Sequence, residues 1–458
     1  MWYRGPMANP DSGALRVAII GGGPSGFFAA DALLKAGTLV DLFDRLPTPF
    51  GLVRGGVAPD HPKIKSVTKA WDKTAQHPGF AFWGNVEIGR DLTVRELLRW
   101  YDAVLFTSGA ETDRKMDIPG EDLQGSHAAT EFVGWYNGHP DYAGRKFALD
   151  SEAVVVIGQG NVAMDVARLL AKTAEELKST DVAADALAAF ADSRVQDIYI
   201  VGRRGPAQAK FTSPELRELG ELVAADAVVL PHDLQLSSAD EGELSTDAAA
   251  AKNVELLREL AARVPEGKRR RVHLCFKMSP VRIEGQDGRV RSIVLEKTRL
   301  EGSAGAQKAI GTGETVEIPC GLVFRSVGYK GKAIEGVPFD AKSGTIPNVK
   351  GQVTLDGQPV VGLYVAGWIK RGPSGVIGTN KPCALETVEQ LLLDAASLPR
   401  APERDVSGLR TLLADRKVEP VSFASWQKID AVEQESGKAL GKPREKLTRW
   451  EDLLKAAR

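Results

Sequence analysis

Apolar positions fall along the chain in two kinds of run. Arg16–Ile20 (RVAII) is short, apolar and β-branched, which predicts a buried strand. Gly21-Gly22-Gly23-Pro24-Ser25-Gly26 follows at once. FFAADALLKAG then places apolar residues at helical spacing and stops at Gly37. Leu39–Phe43 (LVDLF) is a second strand and ends in Asp44. This strand–helix–strand order predicts a β-α-β unit. A second unit starts at Ala153–Ile157 (AVVVI), turns through Gly158-Gln159-Gly160-Asn161-Val162-Ala163 and continues as the helix MDVARLLAK. Its next strand, Asp197–Val201 (DIYIV), ends in Gly202-Arg203-Arg204. Ala-, Asp-, Glu- and Leu-rich residues from about 174 to 193 predict a helical insertion between them.

YDAVLFTSGA (101–110) reads as a buried strand breaking on Ser-Gly. GLYVA (362–366) is its late counterpart, breaking on Gly367-Trp368. Alternating runs such as VHLCF and VRSIVLEKTRL, with Gly-rich turns, predict a β-rich section over about 270–325. The polar tail after about 395 has helical character. Its Trp, Phe and Leu residues predict docking on the body of the protein.

Composition narrows the class. At 458 residues the chain is long enough for two or three domains. Hydrophobic residues at 43% and charged residues at 26% argue against disorder across the chain. A net charge of −1 argues against a generally basic nucleic-acid binder. Cys275, Cys320 and Cys383 are too few and too scattered for a disulfide framework, and no CxxC is present. Dithiol chemistry, a zinc ribbon and an iron–sulfur cluster held by this chain are therefore not expected, and no metal site is. No apolar stretch is long enough to span a membrane, and the first residues lack the apolar core of a secretory signal. Met7 is an alternative start. The expected compartment is the cytoplasm.

The two glycine loops carry the chemistry. Each follows a strand and opens a helix, the context a dinucleotide site requires. In the first, Gly21 permits the tight turn, Gly23 lets backbone approach a pyrophosphate, and Gly26 lets helix pack on strand. The free N–H groups at the helix start favour an anion. Asp44 is placed to accept from ribose hydroxyls. The second loop is GxGxxA, formed by Gly158, Gly160 and Ala163. Its following strand ends in two arginines where the first has an acid. Arg203 and Arg204 suit a 2′-phosphate that an acid would repel. The pair of sites fits FAD in the first and NADPH in the second, in a flavoprotein that takes hydride from NADPH.

The segments VAIIGGGPSGFFAADALL, LPTPFGLVRGGVAPDHPKIK, VVVIGQGNVAMDVARLL, IVGRRGPAQAKFTSPELREL, FRSVGYKG and GWIKRGPSGVIGTNK resemble the adrenodoxin reductase family of ferredoxin–NADP reductases, and most closely its bacterial members. The resemblance implies an α/β fold with two Rossmann-like dinucleotide-binding domains, the NADP domain inserted in the FAD domain. The expected division is 1–112 and 326–458 for FAD, the latter with a C-terminal helical region, and 113–325 for NADP. It implies FAD contacts at Gly21, Gly23, Ser25, Gly26, Asp44, Leu52, Val86, Trp368, Gly375, Val376 and Ile377, with Gly375 also near the nicotinamide. The family usually has Glu at position 44, so the shorter Asp44 implies a looser or water-bridged ribose contact. For NADP it implies Asn161, Val162, Arg203, Arg204 and Glu215, beside Gly158 and Gly160 of the loop. His61 in VAPDHPKIK falls in the flavin-proximal motif, and Glu218 in PELREL matches its acidic partner. As a catalytic pair they would orient the nicotinamide and manage protons.

The implied reaction passes single electrons to a ferredoxin, an acidic iron–sulfur protein that serves a downstream oxygenase or iron–sulfur pathway. Basic contacts are expected near Lys268, Arg269, Arg270 and Arg271, with Arg258 and Arg263 on a nearby helix. Nothing resembles a coiled coil, so a monomer is expected. Two other readings stay open: an NADPH-dependent flavin oxidase or quinone reductase, and a flavin redox sensor without turnover.

Overall fold

The computed structural model describes residues 13–458; Met7 lies outside the described residues. The first sheet has seven strands, in the spatial order Asn348–Val349, Gln352–Leu355, Gln358–Val365, Ala103–Phe106, Arg16–Ile20, Leu39–Phe43, Phe80–Trp83. From Gln358–Val365 onward its strands pair in parallel; the three late strands form an antiparallel meander. The late strand is longer than GLYVA, because Gln358–Pro359 also pair with Thr354–Leu355. The second sheet has six parallel strands, in the order Ser126–Ala128, Leu322–Arg325, Ala153–Ile157, Asp197–Val201, Arg270–Cys275, Ala225–Val229.

Both sheets are covered on both faces, which is why their strands read as continuous apolar runs. In the first, Val17 and Ile19 enter one core while Ala18 and Ile20 enter the other. In the second, Val154 and Val156 face the helical core. Val155 and Ile157 face a separate three-stranded antiparallel sheet formed by Met278–Gln286, Arg289–Glu301 and Lys308–Pro319. VHLCF does not belong to that antiparallel section. It pairs in parallel with Asp197–Val201 and Ala225–Val229. The 174–193 insertion forms the helices Ala174–Leu177 and Ala184–Ala191, anchored by Leu177, Ala186 and Phe190. The tail helices Ser407–Asp415, Phe423–Ala439 and Trp450–Ala457 dock through Leu409, Trp426, Ile429 and Leu453, all buried.

Each glycine loop leaves the carboxyl end of an interior strand, between neighbours whose connections run in opposite directions. This is the crevice where open α/β sheets bind ligands.

Candidate functional site

In the first loop, two glycines are demanded by the protein and one is not. Gly21 has φ +111°, and a Cβ there would lie 2.7 Å from the Thr107 carbonyl oxygen. A Cβ on Gly26 would lie 2.2 Å from the Gly21 carbonyl oxygen, so only glycine lets Pro24–Lys35 pack on the turn. A Cβ on Gly23 would meet no atom within 4 Å. Gly23 thus leaves open space at the start of a 12-residue helix that has no side-chain cap. Pro24 has no N–H and the Phe27 N–H donates to the Gly23 carbonyl, which leaves the Ser25 and Gly26 N–H groups without a partner among the described residues, an arrangement that suits a pyrophosphate.

Asp44, expected to accept from ribose hydroxyls, binds its own loop. Its carboxylate accepts from the Gly22 N–H at 2.7 Å and from the Leu46 N–H at 2.8 Å. Burial pushes its pKa up to about 6 against those bonds. Ser25 Oγ donates to Asn380 Oδ1 at 3.2 Å, and Gly367 packs so closely that a Cβ would lie 2.2 Å from Ser25 Oγ. This contact brings the late segment 367–380 against the first loop. Within it, Arg371 donates to the Ser374 carbonyl at 2.6 Å and to Thr379 and Asn380, shaping the turn that carries Gly375, Val376 and Ile377. Trp368 is half-buried, donates to the Ser374 carbonyl at 3.1 Å and stacks on Tyr329 with ring centroids 5.8 Å apart. Leu52 and Val376 are exposed beside this crevice. The Val86 side chain is buried in the core beneath the sheet, and its N–H donates to the Asp44 carbonyl at the strand end.

The second loop repeats the arrangement. Gly158 has φ +132°, and a Cβ would lie 2.2 Å from the Ser326 carbonyl oxygen. Gly160 again leaves open space, while Ala163 is fully buried at the helix–strand contact. Asn161 Oδ1 accepts from the Thr212 N–H at 2.8 Å, and Val162 packs against the core. Arg203 is exposed and Arg204 half-buried. Among the described residues neither has a carboxylate partner. Their loop is held from behind: Thr298 Oγ1 donates to the Arg203 carbonyl and the Lys277 N–H to the Arg204 carbonyl.

A partly buried ionic cluster lies against the helix Asn161–Ala171 that follows the second loop. His61 Nε2 and Glu218 Oε2 are 2.8 Å apart, which brings the expected pair together across 157 residues of chain. Burial pulls the His61 pKa down, but the bond to Glu218 and the charges of Asp165 and Asp60 together outweigh it, and the net shift is upward. Burial raises the Glu218 pKa, but the bond to His61 and the charges of Arg168 and His61 together bring it below the usual value, so the carboxylate stays ionised. Arg168, 1% exposed, organises the rest. It grips Asp60 with two bonds of 3.0 Å, lies 2.7 Å from Asp165, and approaches Glu215 at 2.9 Å and Glu218 at 3.0 Å. Lys172 reaches Asp60 at 2.6 Å. Glu215, expected at NADP, is turned into this cluster. Burial and the nearby Asp165 charge push its pKa up to about 7. Ligand atoms of His61, Glu215 and Glu218 lie within 4.8 Å of one another, but the Arg168 guanidinium already occupies the cation's place between the two glutamates.

The comparisons decide the family. The family model described as pyridine nucleotide-disulphide oxidoreductase matches residues 15–201. The mitochondrial NADPH:adrenodoxin oxidoreductase of Arabidopsis thaliana is 45% identical, over 98% of this chain and 97% of its own length. NADPH-ferredoxin reductase FprA of Mycobacterium tuberculosis is 46% identical, over 96% of this chain and 98% of its own length. The chain belongs to the adrenodoxin reductase family. A solved structure of the M. tuberculosis FprA in complex with NADPH superposes with a TM-score of 0.91 at 45% identity, covering 97% of this chain and 99% of that one. The match to disulphide oxidoreductases rests on the shared fold, since the three cysteines here are separate free thiols.

In this member of the adrenodoxin reductase family, the basic run 268–271 is not a free docking patch. Arg270 is 5% exposed and donates to the carbonyls of Val195, Ala171 and Lys172, capping the end of a helix. Arg271 pairs with Asp197 at 2.6 Å, Lys268 Nζ donates to the Leu222 carbonyl, and Arg263 donates to the Gly220 carbonyl. Arg258 and Arg269 are exposed without an acidic partner among the described residues. Sequence reasoning also missed Arg168, Asp60 and Asp165. The available signal was Asp165 and Arg168 at i and i+3 inside an otherwise apolar helix, NVAMDVARLLA. No helix among the described residues is long and apolar enough to cross a membrane.

Proposed function

We propose that this protein is an NADPH-dependent, FAD-containing ferredoxin reductase, with the first glycine loop holding FAD and the second holding NADPH. One observation carries the division: two equivalent cradles, open at Gly23 and at Gly160, differ in the charge at the following strand end, Asp44 in one and Arg203-Arg204 in the other. Bound FAD would supply two-electron acceptance from NADPH and one-electron release to an iron–sulfur partner. Gly23 and the uncapped turn of Pro24–Lys35 bind its pyrophosphate. Asp44 fixes the loop through Gly22 and faces the ribose. The segment 367–380, held by Arg371, walls the site from water. Arg203 and Arg204 bind the 2′-phosphate of NADPH. His61, held by Glu218, orients the nicotinamide and carries a proton at Nε2.

The sheet assignments support FAD segments 1–112 and 326–458 around an NADP segment 113–325. We further propose a monomer acting in the cytoplasm, a reading that three unpaired thiols support. A ferredoxin-type partner would dock through exposed Arg258 and Arg269, and its electron transfer would weaken as salt rises.

The test is an anaerobic titration of the holoenzyme, following the visible flavin band. NADPH should bleach it at far lower concentration than NADH. Replacing Arg203 and Arg204 by Ala should raise the NADPH requirement by about ten- to a hundredfold per lost contact, at roughly 1.5–3 kcal/mol for a charged hydrogen bond, and leave NADH unaffected. A flavin that neither nucleotide reduces would refute the reductase reading. Unchanged hydride transfer and nicotinamide affinity in His61→Gln would remove the role given to His61.

A further inference from the structure

The segment 209–212 is strapped across the second glycine loop at two points. The Lys210 N–H donates to the Gln159 carbonyl at 2.8 Å, and the Thr212 N–H donates to Asn161 Oδ1 at 2.8 Å. Gln159 and Asn161 are the residues on either side of Gly160, where a Cβ would meet nothing within 4 Å. Ala209 and Phe211, 8% and 2% exposed, anchor the strap in the core on both sides of Lys210. The backbone of Lys210 is thereby fixed at the rim of the open cradle. Its side chain is exposed, and among the described residues no carboxylate pairs with it and no hydrogen bond engages its ammonium. A lysine held against acidic neighbours would be a surface ion pair; this one has a rigid root, a flexible four-carbon stem and no partner.

We infer that Lys210 is a binding residue for the dinucleotide's pyrophosphate, a third cation beside the Arg203–Arg204 pair. The inference rests on the second loop being the NADP site. Lys210 is tied to the turn of the loop, over which the pyrophosphate of a bound dinucleotide lies. Arg203 and Arg204 are tied instead to the strand end, through Thr298 and Lys277. The two sets of cations therefore serve different phosphates. The arginines select NADP over NAD, and Lys210 adds affinity without selecting.

The test compares two probes on the holoenzyme by calorimetry: NADP+, which carries both phosphate groups, and adenosine 2′-monophosphate, which lacks the pyrophosphate. Lys210→Ala should weaken NADP+ binding about two- to fivefold, the range of a solvent-exposed charged contact, and leave adenosine 2′-monophosphate unchanged. Lys210→Arg should restore NADP+ binding. The loss should shrink as ionic strength rises. Arg204→Ala, as the contrast, should weaken both probes. Unchanged NADP+ binding in Lys210→Ala would overturn the proposal, and so would an equal loss for both probes. If the unsubstituted holoenzyme binds neither probe, the placement of NADP in the second loop fails first. A normal unsubstituted protein with an unaffected Lys210→Ala variant fails the lysine alone.

Discussion

Arg168 shows how one residue can set the state of a whole cluster. Its guanidinium has five N–H donors and faces four carboxylates, Asp60, Asp165, Glu215 and Glu218. Replacing it by Met would leave those acids buried beside one another without the shared cation. The expected cost is about 3–5 kcal/mol, read as a lowered thermal midpoint of the holoenzyme. The cluster holds more acids than bases, and the excess appears as a proton on Glu215, whose pKa rises to about 7 from 4.5 through burial and then the Asp165 charge. The sign follows from linkage: the folded state binds this proton more tightly than the unfolded chain does. Its stabilisation is complete below about pH 4.5 and is lost as pH rises through about 7. Glu215→Gln, which stays neutral, should therefore gain in thermal midpoint relative to the unsubstituted protein between pH 5 and pH 8. A constant difference across that range would show that Glu215 is ionised throughout. His61 was legible in the sequence because its motif surrounds it. Arg168 was not, because its value lies in partners 47 and 108 residues away.

At the scale of the element, the strand–glycine–helix units were legible because every requirement in them is local. A strand run, a turn and a helix start sit within 20 residues of chain, and the burial they need is written in their own apolar spacing. The structure adds a division of labour that the shared motif hides. Gly26 serves the fold and Gly23 serves the ligand. Gly26→Ala should yield a poorly folded protein, since its Cβ would meet the Gly21 backbone at 2.2 Å and backbone does not yield. Gly23→Ala should fold with an unchanged far-ultraviolet spectrum but purify with little flavin, because the added methyl fills only the cradle. In the same way Gly160→Ala should keep its flavin and lose affinity for NADP+. Equal flavin content in Gly23→Ala and the unsubstituted protein would mean that the pyrophosphate lies elsewhere. The strand Arg270–Cys275 was the element least legible in sequence. Its opening arginines look like a solvated patch. Pairing in parallel between two other strands carries Arg270 inside to the carbonyls of Ala171 and Lys172, a destination that charge and periodicity do not encode.

At the scale of the molecule, ion pairs add to apolar packing where the two sheets and the tail meet. Asp60 meets Arg168 and Lys172, and Arg54 meets Glu433 of the tail at 2.5 Å. Asp181 sits at the centre of the tail's attachment, 2.7 Å from Lys65 and 3.1 Å from Lys446. Lys446 also points at the Arg54 carbonyl and at Asn137, so one buried ammonium touches three distant parts of the chain. Burial outweighs the attraction of Asp181 and pulls the Lys446 pKa down to about 7 from 10.5. The folded state therefore binds this proton less tightly than the unfolded chain, and the contribution of Lys446 to stability grows as pH rises from about 7 toward 10.5. Asp181→Asn removes the counter-charge of two buried lysines at once. It should loosen the tail, with faster hydrogen exchange in Phe423–Ala439 and Trp450–Ala457, and the loss should be largest below pH 7, where Lys446 is charged. Adding Lys446→Met should recover most of that loss, since an apolar side chain needs no counter-ion. Exchange unchanged by Asp181→Asn would mean that the apolar anchors Trp426, Ile429 and Leu453 hold the tail unaided. Recovery by the second substitution would locate the joint's pH sensitivity in a single lysine.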